Sequence, residues 1–126
     1  MKDPLPTRAS LAVLMVIHLL MLFALYTLTA PHPPVAIPLF ALAPFLSAFT
    51  AIAAATWIMA ERPIAVPLSI LTALLAAVSL GPHKYFDPAF SGIWPAVLTG
   101  QVAIVALLTQ AVRALSANRA PKGLPA

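Results

Sequence analysis

Three histidines and one carboxylate are the residues of this chain best suited to chemistry, and their placement decides what each can do. His18 lies in the middle of an apolar run from about Ala9 to Thr29, where an ionisable side chain is costly and reads by default as functional. Its imidazole suits a hydrogen bond to Thr or Gln of another helix, or ligation of a haem iron or of the magnesium of a chlorophyll or bacteriochlorophyll. The hydrogen bond is the ordinary use; ligation is the sharper one and makes His18 the candidate cofactor-binding residue. His32 and His83 follow Pro31 and Pro82 where two apolar runs end, and Asp87 stands four residues after His83. Together His32, His83 and Asp87 make a candidate divalent metal site of imidazole and carboxylate, suited to zinc or copper. They are scattered over two loops and lack the repeated short spacing of a metal motif. Interfacial histidines beside proline turns are the plainer reading.

A second constellation lies between Gly81 and Trp94. Lys84, Tyr85, Phe86, Asp87, Phe90 and Trp94 crowd aromatic and charged groups together. Aromatic residues gather in this way at the headgroup level of a bilayer. They also anchor protein contacts, so Tyr85, Phe86, Phe90 and Trp94 are the candidate partner contact. Gln101 and Gln110 lie on the following run, and one of them is a candidate partner for His18.

What must position these residues is almost entirely apolar. Of 126 residues, 62% are hydrophobic and 8% charged, with a mean hydropathy of +1.00; soluble domains are about 25% charged. Four runs carry the apolar residues, about 9–29, 39–60, 64–80 and 93–115, and a bilayer core asks about 20 residues of each crossing helix. Glu61, Arg62 and Pro63 end the second run with charges and a helix breaker. The third is the shortest, with Pro67 in its first turn. The first is too long for the apolar part of a signal peptide, and Leu28 stands where cleavage wants a small residue.

Charge fixes the expected topology. With four spans, Lys2, Arg8, Arg62, Arg113, Arg119 and Lys122 fall on one side and only Lys84 on the other, the bias expected of cytoplasmic segments. The expected fold is all-α: an integral membrane protein with four transmembrane helices in two hairpins, both termini cytoplasmic, as in a bacterial inner membrane. Residues 116–126 form a cytoplasmic tail. The net charge of +4 then reads as topology and contact with membrane lipids, not with nucleic acid. The matched ends Ala30-Pro31-His32 and Gly81-Pro82-His83 are a faint sign that the hairpins arose by duplication.

Small residues predict the packing. Ala43, Ser47, Ala51 and Ala55 recur every four positions in the second run, as do Ser69, Ala73, Ala77 and Gly81 in the third. Such rows let helix backbones approach where lipid is as apolar as the side chains. They predict a tight hairpin of the second and third helices, with the first outermost.

The function classes narrow by absence. No Asp, Glu, Lys or Arg falls in the central part of any run, whereas ion-coupled transport generally uses one there. No nucleophile with a matching base, and no phosphate-binding glycine loop, emerges from the spacing. The absence of cysteine excludes disulfides and thiolate chemistry. The expectation is a non-enzymatic structural or accessory subunit of a larger membrane complex, of an energy-transducing kind such as a respiratory or photosynthetic one, contacting other subunits. Its alternatives are a small channel or transporter built from copies of itself, and a pigment or haem protein using His18.

Overall fold

The computed structural model describes residues 3–27, 39–86 and 90–119. Four helices and one short turn account for nearly all of them: α1 (Leu5–Thr27), α2 (Leu39–Ile58), α3 (Ala65–Leu80), a 3-10 helix (Pro82–Phe86) and α4 (Phe90–Arg119). The fold is all-α, with no strand among the described residues. His32, Asp87 and the last part of the predicted tail lie outside the described residues.

Helix ends follow from local chemistry. α1 begins four residues before the apolar run, because the Asp3 carboxylate accepts the Leu5 N–H at 3.0 Å and the Arg8 N–H reaches the Pro4 carbonyl at 2.8 Å. Pro6 lies in the first turn, where its missing N–H would have no helical partner. α4 is longer than its apolar run at both ends and extends about 45 Å at 1.5 Å per residue. Its final turns, carrying Arg113 and Arg119, are exposed. Three helical stretches, Leu5–Thr27, Ala65–Phe86 and Phe90–Arg119, are long and apolar enough to cross a membrane, and Leu42–Ile58 is a shorter apolar one.

The helices form a ring in which α1 packs on α2 and α4, and α3 on α4 and α2. Each turns a seam inward. Buried positions run Thr7, Leu11, Leu14, His18 and Leu25 in α1, then Leu42, Leu46, Phe49, Ala53 and Thr56 in α2. Ser69, Ala73, Ala76 and Leu80 do so in α3, and Val97, Gly100, Ile104, Leu107 and Ala111 in α4. Alternating steps of three and four give the 3.5-residue period by which side chains interdigitate in helical bundles. The main core joins Leu11, Leu14 and Ile17 to Phe49 and to Ala73, Ala76 and Ala103, so large residues of α1 fill space left by alanines of α3 and α4.

That arrangement corrects two packing expectations. α1 is a central member of the core and not its outermost helix. The row in α2 does not face inward as a unit, because Ser47 and Ala51 are exposed while Ala43 is buried and Ala55 half-buried. A strict four-residue row rotates about 40° per step around a 3.6-residue helix, so it walks off any face that a 3.5-residue seam holds. The α2–α3 contact is accordingly less extensive than the other three. In α3, Ser69, Ala73 and Gly81 are buried and Ala77 is half-buried. A Cβ on Gly81 would collide with the Ala77 carbonyl oxygen, and one on Gly100 would lie 2.5 Å from Leu80 Cδ1. The close helix approach that a glycine permits is therefore between α3 and α4.

The outside is as apolar as the inside. Leu20, Phe23, Ile58, Leu74, Val78, Val102 and Val105 are all exposed, whereas Thr7, Ser10, His18, Thr56, Ser69 and Thr72 are buried. Soluble proteins rarely expose large continuous apolar surface. Large apolar residues outside and hydroxyls inside suit a lipid surround, where helices associate through close contact and polar side chains.

Candidate functional site

His18 occupies the centre of the ring. It is fully buried because it continues the seam of Leu11 and Leu14. One ring nitrogen, Nδ1, lies 2.7 Å from the Leu14 carbonyl oxygen, and Nε2 lies 2.6 Å from Ser79 Oγ on α3. A carbonyl can only accept, so Nδ1 carries the proton and Nε2 is left to accept from the Ser79 hydroxyl. That hydroxyl has a single proton and also lies 3.1 Å from the Ala76 carbonyl oxygen. The imidazole therefore takes a proton that Ser79 would otherwise give to its own helix. One face of the ring is covered by Phe49 of α2, with centroids 3.8 Å apart and planes at 21°. A single residue of α1 thus ties the diagonal helix α3 and stacks on its neighbour α2.

Ligation needs a lone pair aimed at open space, and here both nitrogens are engaged within the protein. A metal could take Nε2 only by displacing Ser79. The partner is neither Gln101 nor Gln110 but Ser79, which sequence reasoning missed. α1 and α3 run in the same direction, and their observed starts put His18 thirteen residues after Leu5 and Ser79 fourteen after Ala65, at similar depth; the apolar runs alone, starting near 9 and 64, do not show this. Replacing His18 by Leu and Ser79 by Ala, singly and together, should reveal a coupling of roughly 0.6–1.7 kcal/mol, the range of such bonds in membrane bundles. Simple additivity in detergent unfolding would show that the bond contributes nothing.

Most other buried hydroxyls are satisfied within their own helices. Ser10, Thr56 and Thr72 each donate to the carbonyl four residues earlier, at 2.8–2.9 Å. Thr56 and Thr72 also lie 3.4 Å apart, a weak link across α2 and α3, since both protons are already in use. Ser69 Oγ is the buried side-chain atom without a partner among the described residues.

The end of the ring that carries the α2–α3 turn is closed by Arg8. Its Nε donates at 3.2 Å to the Trp57 carbonyl oxygen at the end of α2, which also accepts a longer bond of 3.4 Å from the Ala60 N–H. Its guanidinium sits 5.0 Å from the Trp57 ring centre and pairs with Glu61 at 3.5 Å. Both charges are partly exposed, so the pair adds little by itself; the carbonyl and the ring fix its place. At the opposite end Gln101 does similar work. Its Nε2 donates to the Leu80 carbonyl oxygen at 3.2 Å, while its Oε1 accepts from Tyr85 at 2.5 Å. Tyr85 also tilts against Phe90, with centroids 5.2 Å apart. Of the four candidate partner-contact residues, Tyr85 and Phe90 are thus engaged internally, while Phe86, at 90% exposure, and Trp94 face outward.

Of the proposed metal residues only His83 is among the described residues. His83 is exposed on the 3-10 helix, His32 and Asp87 lie outside the described set, and no group of three His, Cys, Asp or Glu forms within it. Known proteins add no further guide: no family model, curated protein or solved structure matches this chain.

Proposed function

We propose that this chain is a non-catalytic accessory subunit of a larger membrane complex. It crosses a bacterial inner membrane four times, with both termini and the α2–α3 turn on the cytoplasmic side. The observation that carries the reading is the use made of the polar groups. His18, Ser79, Gln101, Tyr85 and Arg8 are each engaged in joining one helix to another, which leaves no free acid, base or ligand among the described residues at the centre of the ring. The apolar outer faces remain as the surface with which other membrane chains would pack. Phe86 and Trp94 supply an aromatic rim at one end, suited to headgroups or to a partner's loop. Four spans are supported by the basic residues Arg8, Arg62, Arg113 and Arg119, which four crossings place on one side, and by the Arg8–Glu61 pair, which brings the start of α1 beside the end of α2.

Extraction of the native membrane with a mild detergent, followed by mass-spectrometric identification of every co-migrating chain, tests this reading. Co-migration with a fixed set of other membrane subunits is expected. Migration alone, as a symmetric assembly of this chain, would replace it with the channel alternative.

A further inference from the structure

The outer face of α4 carries a feature that accessory packing alone does not explain. Leu98, Gln101, Val102, Val105 and Ala106 line an open, nearly wholly apolar groove of about 580 Å³. Arg113 lies further along the same helix. At 100° per residue, Ala106 and Val102 lie within about 20° of the direction of Arg113, Leu98 at about 60°, Val105 at about 80° and Gln101 at about 120°. The arginine therefore stands in line with the Ala106 and Val102 edge of the groove, about two turns beyond Ala106. Arg113 is exposed and makes no ion pair among the described residues. The described carboxylates are Asp3, which caps α1, and Glu61, which is held by Arg8. From Arg113 to Val102 is about 16 Å along the helix, close to the depth of one leaflet of a hydrocarbon core about 30 Å thick.

We propose that this face binds one anionic phospholipid, with its phosphate on Arg113 and an acyl chain lying along the groove over Ala106 and Val102. The occupant follows from charge and length together. An apolar groove with a guanidinium two turns beyond it, unpaired among the described residues, matches an amphiphile with an anionic head, and the guanidinium's planar fork suits phosphate oxygens. Its long stem lets the charge reach the headgroup level while the chain stays in the core. A second copy of α4 would instead bring another apolar helix against the groove and leave the arginine unmatched. The inference rests on the membrane reading above and extends it to a specific lipid class.

The test uses the purified full chain in detergent, titrated with phosphatidylglycerol or phosphatidylcholine, with bound lipid counted by native mass spectrometry. The unmodified chain should prefer phosphatidylglycerol roughly fivefold, the effect expected of one arginine at an anionic surface. Arg113→Gln should abolish the preference while Arg62→Gln leaves it intact. Val102→Trp, at an exposed position where folding does not depend on the side chain, should reduce retention of both lipids. Equal binding of the two lipids by the unmodified chain would overturn the proposal, as would a preference that survives Arg113→Gln. Full competition by inorganic phosphate would reduce the site to an anion contact and overturn the acyl chain's part. A dimer dissolved by Val102→Trp would assign the groove to a second copy. Alkaline carbonate extraction separates the two levels: release of the chain from membranes would sink the membrane reading, whereas retention without lipid preference would sink only this inference.

Discussion

Phe49→Ala is expected to cost about 3 kcal/mol, the largest effect of any single truncation in the chain. Phe49 is 1% exposed and is the largest of the fully buried side chains. It packs in the core that joins all four helices and covers the ring of His18. Removing a buried Phe from a soluble core costs about 3–5 kcal/mol through lost transfer energy and the cavity left behind. In lipid the transfer part shrinks, because the exposed reference is hydrocarbon and not water, so the lower end is expected. The cavity would also uncover one face of His18 and loosen its bond to Ser79. Titration with a denaturing detergent, followed by loss of helical signal, measures the change. Phe49→Leu should recover more than half of the loss, because volume matters here more than aromatic character. A cost below about 1 kcal/mol for Phe49→Ala would mean that the ring's centre is not packed as described.

Gly100→Leu is expected to separate α3 from α4, at a cost of about 1–3 kcal/mol. A Cβ at this position would lie 2.5 Å from Leu80 Cδ1 and 3.4 Å from Leu80 Cγ. For alanine the flexible end of Leu80 can swing aside, so Gly100→Ala should be mild. A leucine fills the space into which Leu80 would retreat, and the backbones must part. The neighbouring Gln101 then loses its reach to the Leu80 carbonyl and to Tyr85, so the far end of the ring opens with the same substitution. Thermal stability in detergent should fall slightly from Gly to Ala and steeply from Ala to Leu. Equal stability of all three would show that the close approach is dispensable.

Much of the fold is legible in the sequence because its boundaries are chemical. Glu61, Arg62 and Pro63 end α2, and Gly81 and Pro82 end α3, at places where a helix cannot easily continue. The inward faces were harder to read. In a soluble helix the buried stripe is the apolar one, but here exposed Leu20, Leu74 and Val102 are as apolar as buried Leu11, Leu46 and Leu107. Hydropathy therefore carries no phase, and the regular row of small residues in α2 stood in for it wrongly. The polar residues keep the phase. His18 and Thr7 mark the inner face of α1, Thr56 that of α2, and Ser69 and Thr72 that of α3, since each is more costly against lipid than inside. Such residues keep the phase only in part, because Ser47 of α2 and Thr99 of α4 are exposed. The partner of His18 required more, because it depends on the register of two helices that are not neighbours in the chain.

In the proposed arrangement the chain threads a membrane four times, with its arginine-rich end on one side and its aromatic turn on the other. α2 decides it, since Leu42–Ile58 is shorter than the three stretches long enough to span. The chain contains no cysteine, so single cysteines report one position each. Arg62→Cys, His83→Cys and Ala117→Cys, all at exposed positions, would be labelled with a membrane-impermeant thiol reagent in vesicles of known orientation. Four crossings predict that Arg62→Cys and Ala117→Cys react from the same side and His83→Cys from the other. Labelling of Arg62→Cys and His83→Cys from one side would contradict them.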